Sequence, residues 1–120
     1  IHSAWKISQG KEIYVDFFQH HHPFYYYMLL PIIDTFGSTT DTIMVSRYLS
    51  LVFSAAELAV TYFLALALFK RREIGILSLI LTATLMPFYA RTTEVRPDVP
   101  QALFGVLSVY FLVRYYDKKS

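Results

Sequence analysis

The chain has 120 residues, 55% of them hydrophobic and 18% aromatic, with a formal net charge of +2 and no cysteine. Only 17% are charged, against roughly 25% in an ordinary soluble domain, and that deficit points to contact with lipid. The basic residues form no stripe suited to a nucleic-acid backbone, which excludes nucleic acid as a partner, and the lack of cysteine excludes disulfides, thiolate chemistry and cysteine-ligated metals.

In chain order, Ile1, Ala4, Trp5 and Ile7 share one face of a short surface helix over residues 1–8, and Gly10 suits its end. Residues 12–19, EIYVDFFQ, fit either an extended or an irregular path. His20, His21, His22 and Pro23 then lead into residues 24–33, FYYYMLLPII. That run is apolar but interrupted by Pro31 and too short to cross a bilayer, so it is predicted to lie at the interface or to insert partly. Its tyrosines suit the headgroup level. Residues 34–41, DTFGSTTD, read as a turn.

Residues 49–69, LSLVFSAAELAVTYFLALALF, carry a single charge, Glu57, and stop at Lys70, Arg71 and Arg72. About 20 such residues cross the hydrocarbon layer, so a membrane span is predicted. Residues 74–90 give a second, shorter apolar run whose last turn Pro87 kinks or ends. A polar connector, RTTEVRPDVP, fills residues 91–100, and residues 101–116 are the third run. The predicted fold is an all-α membrane protein, with three transmembrane helices preceded by an outer loop bearing short interfacial helices. It divides into a noncytoplasmic loop with juxtamembrane helices over 1–47 and a three-helix portion over 48–120, with a cytoplasmic turn at 70–73 and an outer connector at 91–98. The positive-inside tendency places Lys70, Arg71, Arg72, Lys118 and Lys119 in the cytoplasm, so the loop and the connector share the opposite face. A start at Ile1 without a basic leader, and an end just after Lys118 and Lys119, suggest a piece of a longer membrane protein that is inactive alone.

The outer face then gathers Asp16, His20, His21, His22, Asp34, Asp41, Arg91, Glu94, Arg96 and Asp98. Arginines pair bidentately with phosphate oxygens, which makes Arg96, and after it Arg91, a partner for an anionic lipid-linked substrate. The other reading pairs Arg96 with Asp98 or Glu94, or sets it against lipid headgroups. Asp16 lies among Tyr14, Phe17 and Phe18, surroundings that favour a general base if they exclude water. Its alternative role is to hold the loop together by hydrogen bonds. Adjacent histidines diverge on any regular backbone, so a shared metal ion is not indicated, although a divalent metal stays possible; His22 beside Pro23 is read as pocket wall. Glu57, deep in the first span, is a relay, a counter-ion or a helix-to-helix hydrogen bond. Around it Ser54, Ala55, Ala56 and Ala59 permit close approach of another helix.

Residues 4–27, AWKISQGKEIYVDFFQHHHPFYYY, resemble a segment of polytopic GT-C glycosyltransferases of the dolichyl-phosphate-mannose-protein mannosyltransferase and aminoarabinose-transferase type. In these enzymes a helix ending in Gly, a Tyr-x-Asp-Phe element and His-x-Pro with aromatics follow the first membrane helix. Here the matching residues are Gly10, Tyr14 to Phe17, and His21 to Pro23. The likeness continues through FGSTTDTIMVSRYLSLVFSAAELAV and ARTTEVRPDVPQALFGVLSVYFLVRYY. It implies part of a larger GT-C bundle that transfers a sugar from a polyprenyl-phosphate donor to an acceptor on the noncytoplasmic face, with no certain cofactor besides that donor. The resemblance also implies that the family's usual key acid precedes this segment, that Asp98 joins Asp16 as a catalytic candidate, and that Arg96, Arg91, His22 and Tyr14 bind substrate. The partners implied are membrane lipid, the lipid-linked sugar and the remaining helices of the parent protein. The location implied is a multi-pass integral membrane protein, in a prokaryotic plasma membrane rather than the endoplasmic reticulum. The alternatives are a non-enzymatic membrane scaffold or subunit, or a transporter fragment using Glu57.

Overall fold

The structure, a computed structural model, describes residues 1–119, and within them the chain is all-α. The short first helix forms as its pattern predicts: α1 spans His2–Ser8, Ala4 is fully buried, and Gly10 turns the chain away at φ +81°. The following loop is closed on itself. The Glu12 N–H donates to Asp16 Oδ2 at 2.8 Å, the Asp16 N–H donates to the Glu12 carbonyl at 2.9 Å, and Ile13 bridges Phe17. Tyr14 sits inside this turn at φ +69°.

The apolar run interrupted by Pro31 is one continuous helix, α2, Phe24–Phe36. It buries Tyr25, Tyr26, Leu29 and Ile33, the four-residue spacing of one helical face, against Ala4 and Ile13. Ile7, Phe17, Leu49 and Val95 close the edges of that core. Gly37, at φ +64°, ends α2 by donating to the Ile33 carbonyl at 2.7 Å. The predicted turn is therefore shorter than its composition suggests, because α2 continues to Phe36 and α3 begins at Thr40.

Helix α3, Thr40–Phe69, has 30 residues, about 45 Å at 1.5 Å per residue, and packs against α2, α4 and α6. Its buried stripe is Thr42, Ser46, Ser50 and Ser54. Ser46 and Ser50 donate to the carbonyls of Thr42 and Ser46, at 2.7 and 3.2 Å, so these hydroxyls satisfy themselves on their own helix and let neighbours approach closely. Ser50 Oγ also lies 3.3 Å from the Tyr25 hydroxyl, tying α3 to α2. The large apolar side chains of α3 point mostly outward.

Two expectations fail. Among the described residues α3 alone is long and apolar enough to cross a membrane, so neither the three-span fold nor the multi-pass integral-membrane location holds. The second run breaks into α4, Arg72–Thr84, and α5, Met86–Arg91. Leu85 between them is extended, ψ 126°, because Pro87 lacks an N–H and its ring collides with the preceding turn. Thirteen residues make about 20 Å of helix, short of the roughly 30 Å hydrocarbon layer. The third run, α6, Asp98–Asp117, has the length at 20 residues, but Asp98, Pro100, Gln101 and Arg114 leave it short in hydropathy. The charge-based orientation, which counted three crossings, loses that footing.

Candidate functional site

The connector is folded tightly by its own backbone. The Glu94 N–H donates to the Arg91 carbonyl at 3.0 Å and the Arg96 N–H to the Glu94 carbonyl at 3.1 Å, while Val95 packs on the α1–α2 core. This brings Arg91, Glu94, Arg96 and Asp98 into one cluster. A single carboxylate oxygen, Asp98 Oδ2, takes both arginines, Arg91 Nη1 at 3.5 Å and Arg96 Nε at 3.4 Å. Arg96 Nη1 also reaches Glu94 Oε2 at 3.1 Å. Asp98 opens α6, where the helix dipole favours negative charge. The side chains of both arginines stay roughly half exposed. Two acids balance two arginines, so the pairs themselves stabilise the fold little.

Beneath this cluster lies a cavity of about 280 Å³ between α3, α4, α5 and α6. The break at Leu85 creates it, because α5 turns away from the line of α4 and carries Pro87, Phe88 and Arg91 to its rim. Phe88, Val99 and Ala102 make apolar wall; Asp98 and Arg91 border it, and Ser54 and Glu57 enter from α3. The hydroxyls of Thr82 and Thr92, also in the lining, donate to the carbonyls of Ser78 and Phe88 at 2.8 and 2.7 Å. Glu57 is different. Among the described residues its carboxyl has no hydrogen bond or ion pair, so it is not tied to a neighbouring helix. Ser54, only 3% exposed, likewise has no partner for its hydroxyl.

The remaining predicted residues lie apart from this cluster. Asp16 caps the Glu12 N–H within its own turn, with no bond to either arginine. Tyr14 donates its hydroxyl to the His21 carbonyl at 3.0 Å and so ties the turn to the histidine run. His22, with His20 and His21, faces a separate surface depression shared with Tyr25, Pro97 and Gln101. The rings of His20 and His21 lie 3.9 Å apart, and among the described residues no three His, Asp or Glu side chains converge as a metal site. One link runs between the two regions: the Tyr26 phenol is raised above its ordinary value by burial first, then by electrostatic repulsion from Tyr14, Asp98 and Tyr25. Sequence reasoning read Ser54 only as a small residue permitting close helix approach, and it missed the cavity that Ser54 lines. Its one usable signal was Glu57 within an apolar run.

Residues 20–120 match the family model of dolichyl-phosphate-mannose-protein mannosyltransferase. Arg91, Arg96, Asp98, Glu57 and His22 fall within the matched residues, whereas Tyr14 and Asp16 fall before them. No curated protein and no solved structure matches the chain.

Proposed function

The chain belongs to the dolichyl-phosphate-mannose-protein mannosyltransferase family, and from that premise we propose that it takes part in sugar transfer from a polyprenyl-phosphate donor to an acceptor hydroxyl. The observation that carries the reading is the sharing of Asp98 Oδ2 by Arg91 and Arg96 at the border of an amphipathic cavity. Guanidinium groups bind phosphate oxygens at least as well as carboxylate oxygens. A donor phosphate therefore draws Arg96, and with it Arg91, away from Asp98. The released carboxylate then takes the proton of the acceptor hydroxyl as that oxygen attacks the anomeric carbon. The bond from the anomeric carbon to the phosphate oxygen breaks, and the arginines offset the charge that grows on the departing lipid phosphate. Because that phosphate is a good leaving group, no protein nucleophile is required.

Asp16 is the second candidate base in this reading, and Tyr14 and His22 serve as substrate-facing wall on the α2 side. The test is release of polyprenyl phosphate from dolichyl-phosphate mannose by the intact protein, compared with Arg96→Ala and Asp98→Ala variants. Each variant is expected to lose about 10²-fold or more in turnover, the usual effect of removing a charge-stabilising or proton-transfer group. Unchanged turnover in both variants overturns the assignment.

A further inference from the structure

We infer that the Lys70 end of the bundle holds the headgroup of an anionic phospholipid, with its phosphate on Lys70 and Arg114 and its first acyl carbons against the neighbouring side chains of α3 and α6. The site lies at the opposite end of α6 from Asp98 and uses none of the residues assigned to transfer.

Charge is spread unevenly along the molecule. The contact between Lys70 and Asp117 joins the ends of α3 and α6, and gathers Lys70, Arg71, Arg72, Arg114, Lys118 and Lys119 with only Glu73 and Asp117 to oppose them. Six cations stand there against two acids, whereas acids outnumber cations over the rest of the chain. All eight side chains are exposed. Among the described residues, α3 is the one helix long and apolar enough to cross a hydrocarbon layer, and it ends at this cluster. A cationic excess beside such a helix complements a surface of anionic headgroups.

The shape of this end fixes where the anion sits. Lys70, Arg114, Tyr110, Phe63, Leu66 and Ala67 line a depression of about 360 Å³, within the roughly 300–1,000 Å³ of small-molecule sites. Lys70 donates to Asp117 at 2.6 Å and keeps two further donors. The Arg114 guanidinium makes no hydrogen bond or ion pair among the described residues and acts on Asp117 through its charge alone. An ammonium and a guanidinium fork thus converge where one phosphate can take both. The remaining lining is apolar, and next to it in sequence Leu68, Phe69, Phe111 and Leu112 are each more than half exposed. A free phosphate leaves that surface in water, whereas a phosphodiester carrying acyl chains covers it. Tyr110, an apolar ring with a polar tip, suits the boundary between headgroup and chain. Asp117 then competes with the lipid phosphate for Lys70.

The test places the intact protein in phosphatidylcholine vesicles with acyl-chain spin-labelled lipids. Electron spin resonance reads its affinity for phosphatidylglycerol relative to phosphatidylcholine. Wild type is expected to favour phosphatidylglycerol about tenfold, and Lys70→Gln and Arg114→Gln each to cut that preference about fivefold, the usual effect of one Lys or Arg at an anionic surface. Asp117→Asn is expected to raise the preference, because it releases the Lys70 donor and removes a negative charge; a gain of affinity cannot come from a misfolded chain. Arg71→Gln combined with Arg72→Gln removes two cations outside the depression. That pair is expected to lower the preference by less than about twofold at physiological salt, since its attraction acts through solvent and is screened. Absence of any preference in wild type overturns the site. So does a loss for the Arg71 and Arg72 pair as large as for Lys70 or Arg114, which would mean a diffuse field, and so does a fall in preference on Asp117→Asn. Displacement of phosphatidylglycerol by millimolar inorganic phosphate also overturns it, because the occupant is then a free anion.

Discussion

The two ends of the helical bundle carry the same chemical device in different settings. At one end Lys70, which caps α3 in the left-handed conformation, meets Asp117 at 2.6 Å; at the other, Arg91 and Arg96 meet Asp98 at 3.4–3.5 Å. Both pairs link a cation to an acid at a terminus of α6. The Lys70 pair stands beside a depression lined by Phe63, Leu66, Tyr110 and Arg114, which presents cations and rings but no carboxyl. The Asp98 pair borders a cavity lined by the Glu57 carboxyl and the Ser54 hydroxyl, neither of which has a hydrogen-bond partner among the described residues. An ion pair at a helix end is thus a clasp; what distinguishes the Asp98 end is the cavity beside it, lined by Glu57 and Ser54.

The sharpest break of that comparison comes from neutralising each acid in turn. Asp98→Asn is expected to slow lipid-phosphate release by about 10²–10⁴-fold, the range for losing a general base. Asp117→Asn, the same chemical change at the other end of the same helix, is expected to leave the rate within about twofold. Comparable losses in a single assay would mean that both pairs act only by holding α6.

The next contrast concerns what supports each end. Val95 rests on the α1–α2 core, so the floor of the connector includes Leu29, which is fully buried. Leu29→Ala is expected to cost about 2–5 kcal/mol by leaving a cavity and, by loosening the connector, to lower activity below what the folded fraction explains. At the Lys70 end, a Cβ on Gly75 would meet the Tyr62 ring at 2.8 Å. Gly75→Ala is expected to cost about 1–3 kcal/mol as overpacking, with activity per folded molecule unchanged. Denaturant midpoints paired with turnover corrected for folded fraction separate the two effects.

These contrasts also show which features the sequence carries openly. The run over residues 49–69 and its stop at Lys70 are legible because continuous apolarity and a cation cluster are local signals. The start of α3 at Thr40 is not, since Thr42, Ser46 and Ser50 look polar in sequence, but Thr42 bonds the Gly37 carbonyl at the end of α2 and the two serines bond carbonyls along their own helix, so all three become its buried face. Pro87 was visible as a kink, yet the break falls two residues earlier, at Leu85, and its consequence for hydrophobic length separates one candidate span from three. The family was legible from the order of weak motifs, and the match begins at residue 20, later than the likeness drawn from residue 4. The ion pairing of Arg96 with Asp98 and Glu94 was among the readings open from their spacing. Glu57 drew notice as a charge in an apolar run, but its cavity exists only once α5 turns away from α4, which no local pattern encodes.

The smallest effect tests the clasp itself. Lys70 holds the Asp117 carboxyl below its ordinary value by a direct hydrogen bond and by its charge. The folded value is therefore below the unfolded one, and the pair contributes stability above the unfolded value of about 3.8. That contribution fades as pH falls through the folded value, because protonation removes the charge that Lys70 holds. Both partners are exposed to solvent and salt screens them, so the effect at neutral pH is small. Lys70→Met is thus expected to lower the thermal midpoint slightly at pH 7 in low salt, by less in high salt, and not at all near pH 2. A difference that persists undiminished at pH 2 would assign the effect to the left-handed cap at residue 70 instead of to the ion pair.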